Sequence, residues 1–92
     1  MRDGKAGMTK WTDTEGSEWE FIYYILTFEN KTEPNTYGIK VERRSDKPAV
    51  EMSEETGGLT FSYEEAESWV RIMEANAVGP ISLHEIVDEL VG

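Results

Sequence analysis

His84 is the only histidine in this chain of 92 residues, and Asp88 follows it one helical turn later. An imidazole next to a carboxylate is the arrangement of a general base and of the acidic group that orients this base. Nucleophilic catalysis also needs a serine or cysteine nucleophile, and no pattern in the sequence places one for this pair. A lone histidine among carboxylates is a poor zinc-ligand set. We therefore expect His84 to face solvent from a helix, and we expect no enzymatic activity.

Residues 13–18 are the second place where residue types suggest chemistry. Asp13, Glu15 and Glu18 lie around Gly16 as the acids of a calcium loop do, but the ligands at positions five and twelve and the flanking helices are missing. The chain has no cysteine, and its glycines follow neither the phosphate-loop nor the dinucleotide-binding pattern. We expect no metal, no cofactor and no nucleotide.

Acidic residues are concentrated in the C-terminal half. Glu51 to Gly92 carries ten carboxylates and one cation, Arg71, whereas Met1 to Val50 carries nine acids and eight bases. Nearly all of the formal net charge of −10 therefore lies in the second half. Such charge repels nucleic acid and anionic membranes and speeds association with basic surfaces. We expect a protein partner with a basic surface, and no direct binding to nucleic acid or membrane.

The sequence also contains signals that relate to the cellular compartment of the protein. It has no apolar run of the roughly 20 residues that cross a bilayer, and no apolar signal near its start. Together with the absence of cysteine, this favours a reducing cytoplasm. The one basic cluster is interpreted as a solvated turn at a hairpin tip, and it contains Lys40, Arg43, Arg44 and Lys47.

Runs of β-branched and aromatic residues, broken by turn formers, predict three or four strands in the first half. The strongest run is Phe21 to Phe28, and Thr36 to Arg44 alternates cleanly between apolar and polar residues. The predicted strands cover residues 8–13, 19–29, 36–44 and 48–52. Residues 1–7 are mostly polar or small and show no hydrophobic periodicity. We therefore expect a disordered lead-in over residues 1–7, followed by one domain over residues 8–92.

The pattern changes to a helical period at Ser62. Ser62 with Glu65, and Ser82 with Glu85, each fit a capping box, and Ile81 and Ile86 take the staple positions around the second cap. The predicted helices cover residues 63–76 and 83–90. Strands followed by helices predict an α+β fold, an antiparallel meander with both helices packed on one sheet face.

One conflict arises within this sheet. The strand 36–44 offers one apolar face, but the strand 19–29 is apolar on both, so one of its rows stays outside the helices. That row is either Phe21, Tyr23 and Ile25, or Ile22, Tyr24, Leu26 and Phe28. Two outcomes remain open: Trp11, Trp19 or the first strand folds over the row, or the row is an intermolecular surface.

Asp88 and Glu89 are unusual among the acids, because they fall in the last turn of a helix, where the helix dipole disfavours anions. The helix-start acids Glu64, Glu65, Glu67 and Glu85 are ordinary by the same rule. Asp88 and Glu89 are expected to form an anionic face with Glu51, Glu54 and Glu55, although a role in solubility alone is the other interpretation.

Several short segments resemble a known family. They are Tyr23-Tyr24-Ile25-Leu26, Tyr37-Gly38-Ile39-Lys40-Val41, the helix after Phe61-Ser62, and the closing stretch from Pro80 to Leu90. Together they are similar to a family of short, uncharacterised proteins from clostridia and related Firmicutes, over about residues 19–90. The loop 51–58 and the N-terminal hairpin depart from it. The resemblance implies a bacterial or phage origin and supplies no functional residues.

These observations favour a non-enzymatic, acidic protein-binding module. We expect an inhibitor of the kind that phages and mobile elements use against host defence, anti-CRISPR-like or similar, which occludes a basic, nucleic-acid-binding surface. The alternative is a homodimeric structural or regulatory protein joined through its exposed sheet face. The predicted partner-binding residues are Glu51, Glu54, Glu55, Asp88 and Glu89 for charge, with Trp19 and Tyr23 as anchors.

Overall fold

The structure is a computed structural model that describes residues 2–45 and 50–92. Its strands are β1 (Arg2–Thr12), β2 (Glu18–Phe28), β3 (Thr36–Ser45) and β4 (Val50–Glu55), and its helices are α1 (Tyr63–Ala75) and α2 (Leu83–Val91). The strands form one antiparallel sheet in the order β1-β2-β3-β4. The predicted α+β meander is therefore confirmed. The predicted start of the fourth strand, residues 48 and 49, lies outside the described residues.

β1 begins much earlier than predicted. Residues 2–7 were expected to be a disordered lead-in, but Arg2 lies opposite Thr27 and the pairing continues to the hairpin. The strand signal is weak there because Gly4, Ala6 and Gly7 offer no large apolar side chains. A Cβ on Gly7 would lie 2.6 Å from Glu74 Oε2, so glycine at this position allows α1 to approach the sheet closely.

The core lies between the two helices and one face of the sheet. Alternate residues of β2 and β3 point to this face, because cross-strand partners share a side. They pack against the apolar stripe of α1 and the inner side of α2; the buried members are Phe21, Tyr23, Ile25, Ile39, Val41, Ala66, Trp69, Val70, Met73, Val78, Leu83 and Val87. The helix predicted after Ser62 is therefore confirmed, and both helices pack on one sheet face as predicted.

The two predicted helix caps differ in outcome. The Ser62 hydroxyl accepts a hydrogen bond from the Glu65 backbone N–H at 3.1 Å, which confirms the cap of α1. Ser82 makes no such bond. It belongs to a 3₁₀ turn (Pro80–Ser82) that runs directly into α2, and the Leu83 N–H is already bonded to the Pro80 carbonyl. The predicted staple is also wrong, since Ile81 is 78 % exposed.

The sheet face without helices, called the open face below, carries the second row of β2. Ile22 and Leu26 are nevertheless buried, at 6 % and 1 % exposed, while Tyr24 and Phe28 are half-buried. Trp11 and Trp19 do not cover them, because both lie opposite each other on the helix side. Polar residues and the segment after β4 lie on this face instead. They are Asp3, Lys40, Glu42, Arg44, and residues 56–58 next to Gly38.

Glycine is required at position 38 because the segment 56–58 passes close to it. Gly38 lies opposite Leu26, and a Cβ there would clash with the Gly57 carbonyl oxygen and lie 2.7 Å from Thr56 Oγ1. We expect Gly38→Ala to lower the free energy of unfolding by about 1–3 kcal/mol, as overpacking does. Gly4→Ala is the matched control, because open space surrounds its Cβ position. Urea titration of both variants should show no loss for the control; equal losses would contradict the steric argument.

Candidate protein-binding surface

Charge is separated between the two layers of the molecule. Helices α1 and α2 carry seven acids and one cation, Arg71; the acids are Glu64, Glu65, Glu67, Glu74, Glu85, Asp88 and Glu89. The open face is close to balanced instead, with five acids and four bases: Asp3, Glu18, Glu20, Glu42, Glu55, Lys5, Lys10, Lys40 and Arg44. The excess negative charge of the C-terminal half is therefore concentrated on the helical side.

Strand β4 divides its two predicted partner-binding acids between the faces. Glu54 lies opposite Val41 and points to the helical side, whereas Glu55 lies opposite Lys40 on the open face. The prediction that both belong to one anionic face is wrong for Glu55, because neighbouring residues of a strand alternate. The side chain of Glu51, also predicted, lies outside the described residues.

Helix α2 brings Asp88 toward Glu54. His84 Nε2 lies 3.5 Å from Glu54 Oε2, and Asp88 follows His84 by one turn on the same side of the helix. Asp88 and Glu89 are both exposed, and the last turn of α2 has no basic residue. We call these groups, Glu54 together with the seven helical acids, the acidic helix layer.

Tyr23, a predicted anchor, is unavailable to a partner. Its side chain is fully buried, and its hydroxyl donates to the carbonyl oxygens of Val78 at 2.8 Å and Met73 at 3.2 Å. Burial raises the pKa of Tyr23 to about 12. The prediction failed because β2 is apolar on both faces and the sequence does not say which row the helices cover. Tyr23 holds the end of α1 and the following loop on the sheet.

Trp19, the other predicted anchor, is half-buried at the β1–β2 hairpin. Its indole N–H donates to Asp13 Oδ2 at 3.0 Å, and its ring stacks on Trp11 with centroids 5.9 Å apart. The indole N–H is the main cause of the lowered pKa of Asp13, which also accepts from the Ser17 backbone. Trp19 lies opposite Ser45, four residues along β3 from the partner of Glu54, or about 13 Å.

Two exposed rings beside the acidic helix layer were not predicted. Phe61 is 66 % exposed and Tyr63 is 44 % exposed, and both precede Glu64 and Glu65 at the start of α1. Tyr63 is held by an edge contact with Tyr37, with ring centroids 5.5 Å apart. The available signal was their position on either side of the helix cap, outside the apolar stripe. These rings, rather than Tyr23, adjoin the anionic surface.

Glu42 is the centre of a polar network on the open face. Its Oε1 accepts from the Tyr24 hydroxyl at 2.8 Å and from Arg44 Nη2 at 3.0 Å, and Lys40 Nζ lies 3.6 Å from Oε2. Burial alone would raise the pKa of Glu42, but these three donors and cations hold it below its usual value. The network supplies hydrogen bonds to the carboxylate of a residue that is only 7 % exposed to solvent.

Because the folded-state pKa of Glu42 is lowered, its contribution to stability is present above its unfolded pKa and is lost as pH falls through the folded pKa. Glu42→Gln should lower the free energy of unfolding at neutral pH by about 1–3 kcal/mol. Urea titrations from pH 7 to about pH 3 should show a smaller loss in acid for the variant. Parallel curves for both proteins would contradict this role.

His84 has the solvent-facing position that was predicted for it, with a side chain 61 % exposed. Within residues 2–45 and 50–92, no three histidine, cysteine or carboxylate side chains are grouped closely enough to hold a metal ion. In the same part of the chain, no helix has both the length and the apolar character needed to cross a membrane.

Comparison with known proteins relates the chain to one family. No curated protein matches it, and no solved structure matches it. A family model matches residues 5–92, which is nearly the whole chain. This agrees with the similarity to an uncharacterised family that the sequence motifs indicated. The chain belongs to the family of unknown function DUF6514.

Proposed function

We propose that this protein is a non-enzymatic binding module that docks its acidic helix layer on a basic surface of a partner protein. The observation that carries the proposal is the separation of charge by layer. Seven acids and one cation lie on the two helices, while the open face carries five acids and four bases. If charge served only solubility, it would have no reason to concentrate on one side.

Charge and anchoring have different roles in this proposal. Exposed carboxylates such as Asp88 and Glu89 speed association with a basic surface but contribute little affinity each. Affinity needs side chains that become fully desolvated, and aromatic rings are the usual ones. Phe61 and Tyr63 supply such rings at the start of α1, next to Glu64 and Glu65. We assign the anchor role to these two residues in place of Tyr23.

The partner surface that fits best is one that otherwise binds nucleic acid, because carboxylates concentrated on one side offer it the same sign of charge as phosphates. On this basis we propose competition with nucleic acid in the cytoplasm, as in an inhibitor of the anti-CRISPR or other anti-defence type carried by a phage or mobile element. The resemblance to clostridial and related Firmicute proteins supports a host of that group. The chain itself, at a net charge of −10, would repel nucleic acid.

The alternative of a homodimer joined through the open face has less support. That face already buries Ile22 and Leu26 within the monomer, and its charged groups pair with each other around Glu42. Little uncovered apolar area therefore remains there to stabilise a dimer. Light scattering at high protein concentration distinguishes the two proposals, since the binding module is expected to be monomeric.

The experiment that tests the proposal is affinity capture from a native host extract at low and at high salt. We expect basic, nucleic-acid-binding proteins among those retained, and their retention should fall steeply with salt because exposed charges are screened. Added nucleic acid should release the same proteins. Retention that is insensitive to both salt and nucleic acid would contradict the proposal.

A further inference from the structure

A second surface, of a different character, lies on the helical side near the β1–β2 hairpin. A groove of about 310 Å³ is formed there by β2, β3, β4 and the loop between the helices, and its lining includes Phe21, Met52, Pro80 and Ile81. The apolar area continues from Phe21 to Trp11, whose ring centroids are 5.7 Å apart. This surface is mainly apolar and contains one cation, Arg43, unlike the acidic helix layer.

Arg43 is the cation of this groove. Its Cζ lies 5.0 Å from the Trp19 ring centroid, and its Nε is buried with no hydrogen-bond acceptor. None of the ion pairs between described residues involves Arg43. Its neighbour Arg44 points to the other face, and although its Nε also lacks an acceptor, its Nη2 is paired with Glu42. Arg43 therefore has a buried donor, Nε, without an acceptor and a positive charge that is paired with no carboxylate among the described residues.

The walls of the groove are fixed in place. The Tyr23 hydroxyl holds the Val78 carbonyl, and the Val78 N–H donates to the Met73 carbonyl at 3.0 Å. Gly79 lies against the Phe21 ring so closely that a Cβ would be 2.9 Å from Phe21 Cζ. Ile81 then projects at the rim, 78 % exposed. A groove held open in this way binds a ligand without first having to be ordered.

We propose that this groove binds a short partner segment that carries an apolar side chain next to a carboxylate. The apolar side chain of the segment lies between Phe21 and Ile81. Its carboxylate accepts hydrogen bonds from the Arg43 guanidinium, so that each charge has a partner in mainly apolar surroundings. Charge complementarity selects this occupant, since a basic segment would meet Arg43 with like charge. The proposal does not depend on the acidic helix layer.

The test uses a displayed library of random short peptides, selected on the whole protein. We expect enrichment of peptides in which an apolar residue adjoins Asp or Glu. Changing that acid to its amide in an enriched peptide should weaken binding roughly tenfold to 100-fold, as loss of a charged hydrogen bond does. In NMR titration, the indole signals of Trp11 and Trp19 should shift and that of Trp69 should not. No enrichment, or enrichment of basic peptides, would overturn the proposal.

Arg43→Met removes the guanidinium and keeps an unbranched apolar side chain in place of the aliphatic part of arginine, and it should weaken binding of the enriched peptide by the same roughly tenfold to 100-fold. Arg71→Met is the matched control, because Arg71 is an exposed cation on α1, and it should bind as the wild type does. Equal binding by Arg43→Met and wild type would overturn the proposal. Where Arg43→Met is unstable, the acid-to-amide change in the peptide tests the same contact on the folded wild type.

Discussion

Reversing three charges of the acidic helix layer, in the variant Glu54→Lys, Asp88→Lys, Glu89→Lys, is expected to weaken binding to the captured partner by at least about 100-fold at low salt. Each change replaces an attraction to a basic surface by a repulsion. The fold should tolerate the variant, because all three side chains are exposed and cations favour the last turn of a helix. Calorimetric or optical titration against the purified partner measures the effect.

A second triple variant separates the place of the charges from their number. Glu15→Lys, Glu18→Lys, Glu33→Lys changes the net charge by the same amount, but its three positions are exposed sites in or beside the loops at the two ends of β2. We expect its affinity for the partner to stay within a few fold of the wild type. If both variants lose affinity equally, net charge rather than the helical side would be responsible, and the proposed docking surface would be wrong.

Tyr23→Ala is expected to lower the free energy of unfolding by about 3–5 kcal/mol, because it removes a fully buried ring from the centre of the core. Tyr23→Phe keeps the ring and leaves the Met73 and Val78 carbonyls without the hydroxyl, at an expected loss of about 1–3 kcal/mol. Tyr63→Phe, at an exposed ring, should change stability by less than about 0.5 kcal/mol. Urea titration of the three variants gives the comparison.

The same residue predicts a loss of stability in alkali. The pKa of Tyr23 is raised by burial to about 12 in the folded state, from an ordinary value of 10.0. Between these values the unfolded chain releases a proton that the folded chain keeps, so stability falls as pH rises. Unfolding titrations from about pH 8 to about pH 11 should show a steeper fall for wild type than for Tyr23→Phe. Equal slopes would contradict the buried position of this phenol.

Local sequence patterns predicted the helices and strands of this fold. They failed where the conformation of a residue depends on a neighbouring strand or turn. The helical period after Ser62 and the Ser62 cap follow from residues a few positions apart, and the structure confirms both. β1 was placed too late because its first residues are small and polar and gain their strand conformation from pairing with β2. The Ser82 cap failed because Ser82 lies within a 3₁₀ turn that runs directly into α2, so its backbone is helical (φ −94°, ψ −1°) and not extended as in a capping residue.

The candidate surface was predicted in outline rather than in detail. The concentration of acids after Glu51 is visible in the sequence, and the structure places most of them on the helical side. Whether Glu54 or Glu55 belongs to that side depends on the register of β4, which residue types do not determine. The role of Tyr23 depended in the same way on which row of β2 the helices cover.

Carboxylate footprinting tests the central claim most directly. Carbodiimide coupling, read by mass spectrometry, reports how accessible each carboxylate is in the free protein and in the complex with its captured partner. We predict that Glu54, Asp88 and Glu89 are protected in the complex, while Glu55 on the open face reacts as it does in the free protein. Protection of Glu55, with Asp88 and Glu89 still reactive, would contradict docking through the acidic helix layer.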